Sequence, residues 1–559
     1  MMKPLLPARR FGLLLSLLLW PRLLPAADVP ARPNLVVVIS LDQFPAAYLE
    51  RFRPYFVAGG FNRLLDQGAV FTDCRYRHAI TKTGPGHAVM LSGVHANVHG
   101  IIGNEWLLRT WPVPEQVNCV EDRDSALVGL PPPAVRSPGG VLEAKSGRSP
   151  RHSLAPTIGD LLKGAYGARS KVFGVADKDR AAILMSGRGA DGAYWTEDGR
   201  VVTSTYYRKE LPDYIAAFNA EQRVEHAFGR EWNLLLPRAV YDEVQGPDDA
   251  PGEYTGVGLT RTFPKRIDGG QPAVGKDFYD AFDNTPWDNE LVADAARTLV
   301  INEHLGAADG APDLLAIGFS QTDKIGHNYG PYSHEIMDSV VRLDRILADF
   351  FQFLDEQVGL QHCTLVLTSD HGVAPLPERE PGKGGRLRVA DLDQQVFAAL
   401  DREFGPLAND ERWAARDGLG YHLNPAALAQ KQLAAPGVET AVQRALLQVP
   451  EVAEAFTRSQ LVNPAPLDAI GEAMRLSYYP PRSPDVLAVL KPYVIDKVAP
   501  GTTHGTPYEY DNHVPLLWYG AGVKPGAHPE RVGVNDLAPT LGHLLGLPAL
   551  PQNEGHPLF

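Results

Sequence analysis

Cysteine is scarce: Cys74, Cys119 and Cys363 are the only three in 559 residues. So few and so dispersed, they exclude a thiolate metal cluster and a disulfide scaffold. One bridge, Cys74 with Cys119, stays open in an oxidising compartment, and spacing alone does not decide it. Basic residues are in deficit too, 53 Lys and Arg against 66 Asp and Glu, for a formal net charge of −13. A chain this acidic is a poor general binder of nucleic acid or anionic membrane, so a substrate's negative charge has to be met locally. Long apolar runs are missing beyond the N-terminus, which leaves no internal transmembrane segment. Internal repeats and low-complexity tracts are also missing, which removes solenoids and disordered tails.

The N-terminus differs from the rest. Lys3, Arg9 and Arg10 precede an apolar run from Phe11 to Trp20, followed by Arg22 and the small pair Ala26-Ala27. A charged head, an apolar stretch too short to cross a bilayer and small residues for cleavage read as a signal peptide over residues 1–27, with an uncleaved anchor as the alternative. Its removal takes four positive charges and lowers the net charge from −13 to −17. The expected product is a periplasmic or secreted protein with no membrane span. Residues 28–559 are expected to form one catalytic domain with insertions at about 107–150, 188–285 and 374–480. The first of these is rich in Pro and Gly and reads as an irregular excursion.

Several β-branched apolar runs read as buried strands of an α/β sheet, and polar residues stand at their C-terminal ends, where such sheets bind ligands. Asn34 to Leu41 delivers Asp42. Lys171 to Val175 leads to Lys178 and Arg180, two positions apart and so on one side of an extended chain. Asp313 to Phe319 leads to Asp323 and His327, and Cys363 to Ser369 to Asp370 and His371. Asp485 to Val494 reads as a late core strand ahead of His504. Each residue alone is more often a cap or a satisfied polar group than a ligand. Together they supply three carboxylates and three imidazoles, and oxygen and nitrogen donors without thiolate suit Zn²⁺ or, less well, Mn²⁺.

The stretch Thr81-Lys82-Thr83-Gly84-Pro85-Gly86-His87 lies between a strand (Val70 to Tyr76) and a helix expected to begin near Gly86. A hydroxyl there faces unpaired N–H groups and the positive end of the helix dipole, an anion site. Thr83 reads as a nucleophile toward an anionic ester or, more plainly, as an N-cap; Thr81 is the rival.

The motifs Leu-Asp42-Gln, Thr83-Gly-Pro-Gly-His, Gly-Ile-Ile-Gly-Asn104-Glu-Trp, Lys178-Asp-Arg180, Thr-Asp323-x-x-x-His327, Ser-Asp370-His371-Gly and His504-Gly-Thr-x-Tyr-x-Tyr-Asp stand in this order. In this the chain resembles the alkaline phosphatase superfamily, specifically bacterial periplasmic or secreted alkaline phosphatases with a threonine nucleophile and a nucleotide pyrophosphatase/phosphodiesterase-like core. The resemblance runs from Asn34 to the C-terminus and is weakest within 188–285 and 374–480. It implies an α/β fold with a mostly parallel central sheet flanked by helices, and insertions forming a cap. It implies two Zn²⁺ per chain, one on Asp323, His327 and His504, the other on Asp42, Asp370 and His371 beside Thr83. Asn104, Lys178 and Arg180 are then expected on the phosphate's remaining oxygens. The implied reaction is phosphomonoester hydrolysis through a phosphothreonine, by a monomer or weak dimer. A diesterase is the alternative within the superfamily, and a non-catalytic phosphate-ester binder the alternative outside enzymes. The sulfatase signature Cys/Ser-x-Pro-x-Arg is absent.

Overall fold

A computed structural model describes Met1 and residues 32–130, 146–254, 258–408 and 411–559. The expected leader over 1–27 lies, Met1 aside, outside the described residues. The strands used below are β1 (Leu35–Leu41), β2 (Ala69–Arg75), β3 (Glu121–Val128), β4 (Ser146–Arg148), β5 (Val172–Ala176), β6 (Gly192–Glu197), β7 (Arg200–Ser204), β8 (Asp313–Phe319), β9 (Cys363–Ser369), β10 (Ala414–Asp417), β11 (Gly420–Leu423), β12 (Val452–Thr457), β13 (Val486–Leu490), β14 (His513–Gly520) and β15 (Gly526–Gly533). The helices used below are α1 (Thr83–Ser92), α2 (Asp179–Ser186), α3 (Trp287–Asn302), α4 (Gln321–Tyr329), α5 (His334–Gln357), α6 (Val389–Phe404), α7 (Ala435–Leu446) and α8 (Leu537–Leu545).

An eleven-stranded sheet runs β15-β2-β14-β9-β1-β8-β5-β6-β7-β3-β4. Its five central strands are parallel, and its flanking pairs are antiparallel except for the edge pair β15–β2, which is parallel. The alternation along β1 shows why its sequence is apolar at every position but Ser40. Leu35, Val37, Ile39 and Leu41 pack on one side with residues of α3 and α5, while Val36 and Val38 pack on the other with residues of α1, α2 and α8. Both faces of the strand are covered, as a parallel sheet requires.

Register then sets the site. Leu41 of β1 lies beside Phe319 of β8 and Ser369 of β9, and Gly318 lies beside Ala176 of β5. Four adjacent strands therefore end level, and the residues that follow them meet.

A second, four-stranded sheet, β10-β11-β13-β12, carries α6 and α7 on a core of its own. The expected late core strand within Asp485 to Val494 is therefore corrected: β13 belongs to this smaller sheet. Its apolar run is continuous because Val486, Ala488 and Leu490 face the helices, whereas Leu487 and Val489 face Ala79, just ahead of Thr83, and Met474. Strand β3, in the stretch read from sequence as an irregular excursion, and the hairpin β6–β7, in the stretch read as an insertion, both extend the large sheet. Cys74, Cys119 and Cys363 are free and buried, so no Cys74–Cys119 bridge forms. Burial pushes the Cys119 and Cys363 thiols up to about 12.

Candidate active site

Helix α1 begins at Thr83, three residues before the expected start near Gly86. Pro85 is tolerated because it falls in the first turn, whose N–H groups have no intrahelical partner. Gly86 is required by close approach: a Cβ there would stand 2.3 Å from the Asp370 carbonyl oxygen. The helix thereby seats directly on the end of β9. His87, one turn on, is buried between Thr83 and the sheet. Its Nδ1 donates to the Thr83 carbonyl at 2.8 Å, and its Nε2 lies 3.0 Å from Ser40 Oγ on β1. Burial lowers the His87 imidazole to about 4, so it is a neutral strut.

Thr83 Oγ1 lies 3.5 Å from His371 Nε2. The other hydroxyl, Thr81 Oγ1, donates to the Thr506 carbonyl at 2.9 Å and is committed there. Asn104 Oδ1 accepts from the Gly84 N–H at 2.7 Å, which fixes its side chain over the first turn of α1.

The strand ends bring together two donor sets. Ligand atoms of Asp42, Asp370 and His371 lie within 4.8 Å of one another, and so do those of Asp323, His327 and His504. In each histidine Nδ1 faces a backbone carbonyl: His327 that of Thr502 at 2.9 Å, His371 that of Gly372 at 2.9 Å and His504 that of Thr81 at 2.7 Å. A carbonyl only accepts, so a proton sits on Nδ1 of each ring, and a ring in its neutral form turns an Nε2 lone pair into the site. Burial lowers the His371 imidazole to about 3 and that of His504 well below its usual value. Burial lowers His327 as well, but its neighbour Asp323 overrides this and raises it.

These lone pairs point at carboxylates. His371 Nε2 is 3.4 Å from both Asp42 Oδ1 and Asp370 Oδ2, and His504 Nε2 is 3.6 Å from Asp323 Oδ1. Asp42 Oδ1 and Asp370 Oδ2 are buried without a hydrogen-bond partner. Orphaned carboxylate oxygens facing imidazole lone pairs fit a divalent cation and little else. Without its charge, burial and the neighbouring Asp42 push the Asp370 carboxyl well above the usual range.

Lys178 stands between the sets. Its ammonium is 2.7 Å from Asp42 Oδ2 and also contacts Asp323. Burial opposes ionisation of Asp323, yet Lys178 and then His327 hold it well below the usual carboxylate range. Arg180, in the first turn of α2, has a buried Nε with no hydrogen-bond partner, and its nearest carboxylate, Asp179, is 3.7 Å away.

Two contributors, Gln43 and Asp511, stand inside the quoted motifs, but the sequence assigned neither a role. Gln43, at φ +58°, donates its N–H to Asp370 Oδ1 at 3.1 Å and its amide to Asp323 Oδ1 at 2.7 Å. It thus touches one member of each donor set. Gly326 leaves room for it, since a Cβ there would meet Gln43 Oε1 at 2.0 Å. Asp511 accepts from the N–H groups of Gly505 and Thr506 at 3.0 and 2.8 Å, clamping the loop that carries His504.

The sequence model of type I phosphodiesterases / nucleotide pyrophosphatases matches residues 36–495. The chain belongs to this family. The phosphodiesterase / nucleotide pyrophosphatase family sits in the alkaline phosphatase superfamily, and full-length relatives bear the superfamily's name. Alkaline phosphatase PhoV of Synechococcus elongatus is 32% identical over 92% of this chain and 90% of its own. Alkaline phosphatase PafA of Elizabethkingia meningoseptica is 32% identical over 94% of each chain. A crystal structure of wild-type PafA superposes with a TM-score of 0.84, covering 94% of this chain and 98% of that one at 30% identity. A protein of Myroides odoratus named calcium-transporting ATPase is 32% identical over 95% of both chains; among the described residues here, no helix is long and apolar enough to cross a membrane. The family member described here is thus an enzyme of a phosphoesterase superfamily, with the superfamily's α/β fold.

Proposed function

We propose that the chain is a zinc-dependent alkaline phosphatase acting on phosphate monoesters through a phosphothreonine at Thr83. The observation that carries this reading is Thr83 Oγ1 beside His371, at a helix N-terminus, with Arg180 Nε on α2 buried and without a hydrogen-bond partner. Asp42, Asp370 and His371 would hold one Zn²⁺, and Asp323, His327 and His504 the other. When bound, the two ions supply Lewis-acid stabilisation of the charge that builds on the reacting oxygens.

Thr83 Oγ attacks phosphorus, the P–O bond to the alcohol breaks, and the proton given up by the Thr83 hydroxyl leaves on the alcohol. Water then attacks the phosphothreonine, inorganic phosphate departs and Thr83 is restored. Throughout, His87 holds the Thr83 carbonyl, and Asn104, anchored by its carbonyl, turns its NH₂ toward the ester. Arg180 and Lys178 meet non-bridging oxygens. Charge favours the monoester. Three aspartates and a threonine alkoxide balance two dications, and the two basic side chains leave a surplus that matches a phosphate dianion. A diester, with one negative charge, would leave a cation uncompensated in a buried site.

The match to a family described as phosphodiesterases supports a second reading, diester hydrolysis at the same Thr83. Export by the leader at residues 1–27 belongs to the proposal, as does a monomer or weak dimer. The deciding experiment measures kcat/KM for p-nitrophenyl phosphate and bis(p-nitrophenyl) phosphate, with a chelator and after zinc is restored. Chelator-sensitive preference for the monoester is expected. A preference for the diester moves the conclusion to the second reading, and chelator-independent turnover removes the metal.

A further inference from the structure

A cavity of ≈ 180 Å³ opens between the smaller sheet and the loops ahead of Thr83 and around His504, lined by Ile80, Lys82, Leu419, Leu487, Val489 and His504. It is continuous with the reaction site through two residues. Lys82 precedes Thr83 and is the N-cap of α1, and His504 belongs to the donor set that Thr83 does not touch. Its apolar wall comes from the face of β13 that carries Leu487 and Val489, closed by Leu419 from the β10–β11 turn.

We propose that this cavity receives the alcohol part of the ester and selects apolar, uncharged alcohols, an inference that rests on the phosphatase reading above. Thr83 stands against the His371 set. In an in-line displacement the leaving oxygen departs on the side of phosphorus opposite the nucleophile. That side belongs to Asp323, His327 and His504, and the space next to His504 is this cavity. Its rim carries Glu105, Asp417 and Asp496 against the single cation Lys82. An alcohol bearing its own phosphate or carboxylate meets three carboxylates there and is disfavoured, whereas an aryl-alkyl or branched alkyl group meets leucine, isoleucine and valine. The smaller sheet is then a specificity element. It supplies the wall that distinguishes one alcohol from another, while the large sheet supplies the chemistry.

The test compares kcat/KM for 2-phenylethyl phosphate and methyl phosphate, esters of alcohols of similar acidity, on the zinc-loaded full chain. A fitted apolar contact is worth about tenfold per methylene-sized group, so the ratio is expected to favour the phenylethyl ester by about tenfold or more. It should fall toward unity in both Leu419→Ser and Leu487→Asn. Of the two, Leu419 lies in a turn, so its variant keeps the question answerable if Leu487→Asn fails to fold. A ratio near unity in the wild type, or one unchanged in a folded variant, overturns the inference while leaving the phosphatase reading intact. If neither ester is turned over, the phosphatase reading fails, and calorimetry judges the cavity by itself. Binding of 2-phenylethylphosphonate about tenfold tighter than methylphosphonate sustains it, and equal binding overturns it.

Discussion

The side-chain amide of Gln43 donates to Asp323 Oδ1 at 2.7 Å, so a residue at the end of β1 orients a donor on α4. The same residue's N–H holds Asp370. Partners behind a ligand typically change metal affinity about 10–100-fold when lost. Gln43→Ala is therefore expected to weaken zinc binding by about that factor, with the fold unchanged by circular dichroism. Competition against a chromophoric chelator measures it; wild-type affinity would show that Gln43 only fills space beside Gly326.

Thr83→Ala is expected to abolish most turnover while zinc content stays at the wild-type level, because two complete donor sets remain. Thr81→Ala should cost little, since that hydroxyl is bound to the Thr506 carbonyl. Metal analysis alongside phosphate release checks both, and the reverse pattern transfers the nucleophile to Thr81.

Lys178→Ala and Arg180→Ala should separate monoester from diester chemistry. A charge-assisted contact in a buried site is worth roughly 1.5–3 kcal/mol, so either change should lower monoester kcat/KM about ten- to a hundredfold. The diester has an ester carbon where one of those oxygens would be and should lose much less. Lys178→Ala also frees Asp42 and Asp323 from an ammonium, so zinc content has to be measured in parallel. Equal losses on both substrates would mean that the pair serves the site's general electrostatics.

Glu253 gives a pH prediction away from the site. Burial raises its carboxyl from 4.5 to about 8. A raised carboxyl binds its proton more tightly in the folded chain, so this stability is complete below about 4.5 and drains away as pH rises toward about 8. The slope is at most about 1.4 kcal/mol per pH unit. Glu253→Gln keeps an acceptor for the Ala250 N–H and has nothing to titrate. Its melting temperature should exceed the wild type's by a margin that widens from pH 5 to pH 8. Parallel curves would show that Glu253 ionises freely.

Much of the site was legible because buried parallel strands have a plain signature. Covered on both faces, β1, β8 and β9 are apolar at most positions, so Asp42, Asp323 and Asp370-His371 stand out where each run stops. The same signature misled at β13. An apolar run says that both faces are covered, not which layers cover them, and β13 lies between α6–α7 and the segment before Thr83. The start of α1 was hidden because Gly-Pro-Gly is poor helix sequence, and only contact with Asp370 shows why it folds so early. Gln43 stands in the Leu-Asp42-Gln motif, but its role was not legible there because it depends on a left-handed backbone and on a partner 280 residues away. The pairing of Lys178 with Asp42 and Asp323 likewise comes from the level ending of β5, β1 and β8.

That level ending also fixes when the site can exist. Asp42 meets its partners Asp370 and His371 only after β9 pairs with β1, and His504 arrives later still, on a loop clamped by Asp511. A chain still being synthesised, or one threaded unfolded through a membrane pore, holds these side chains hundreds of residues apart and has no preformed place to catch a cation. Metal capture is thereby postponed to the last stage of maturation. The ion acquired is the one offered by the compartment in which the finished chain folds, whatever the supply where the ribosome works.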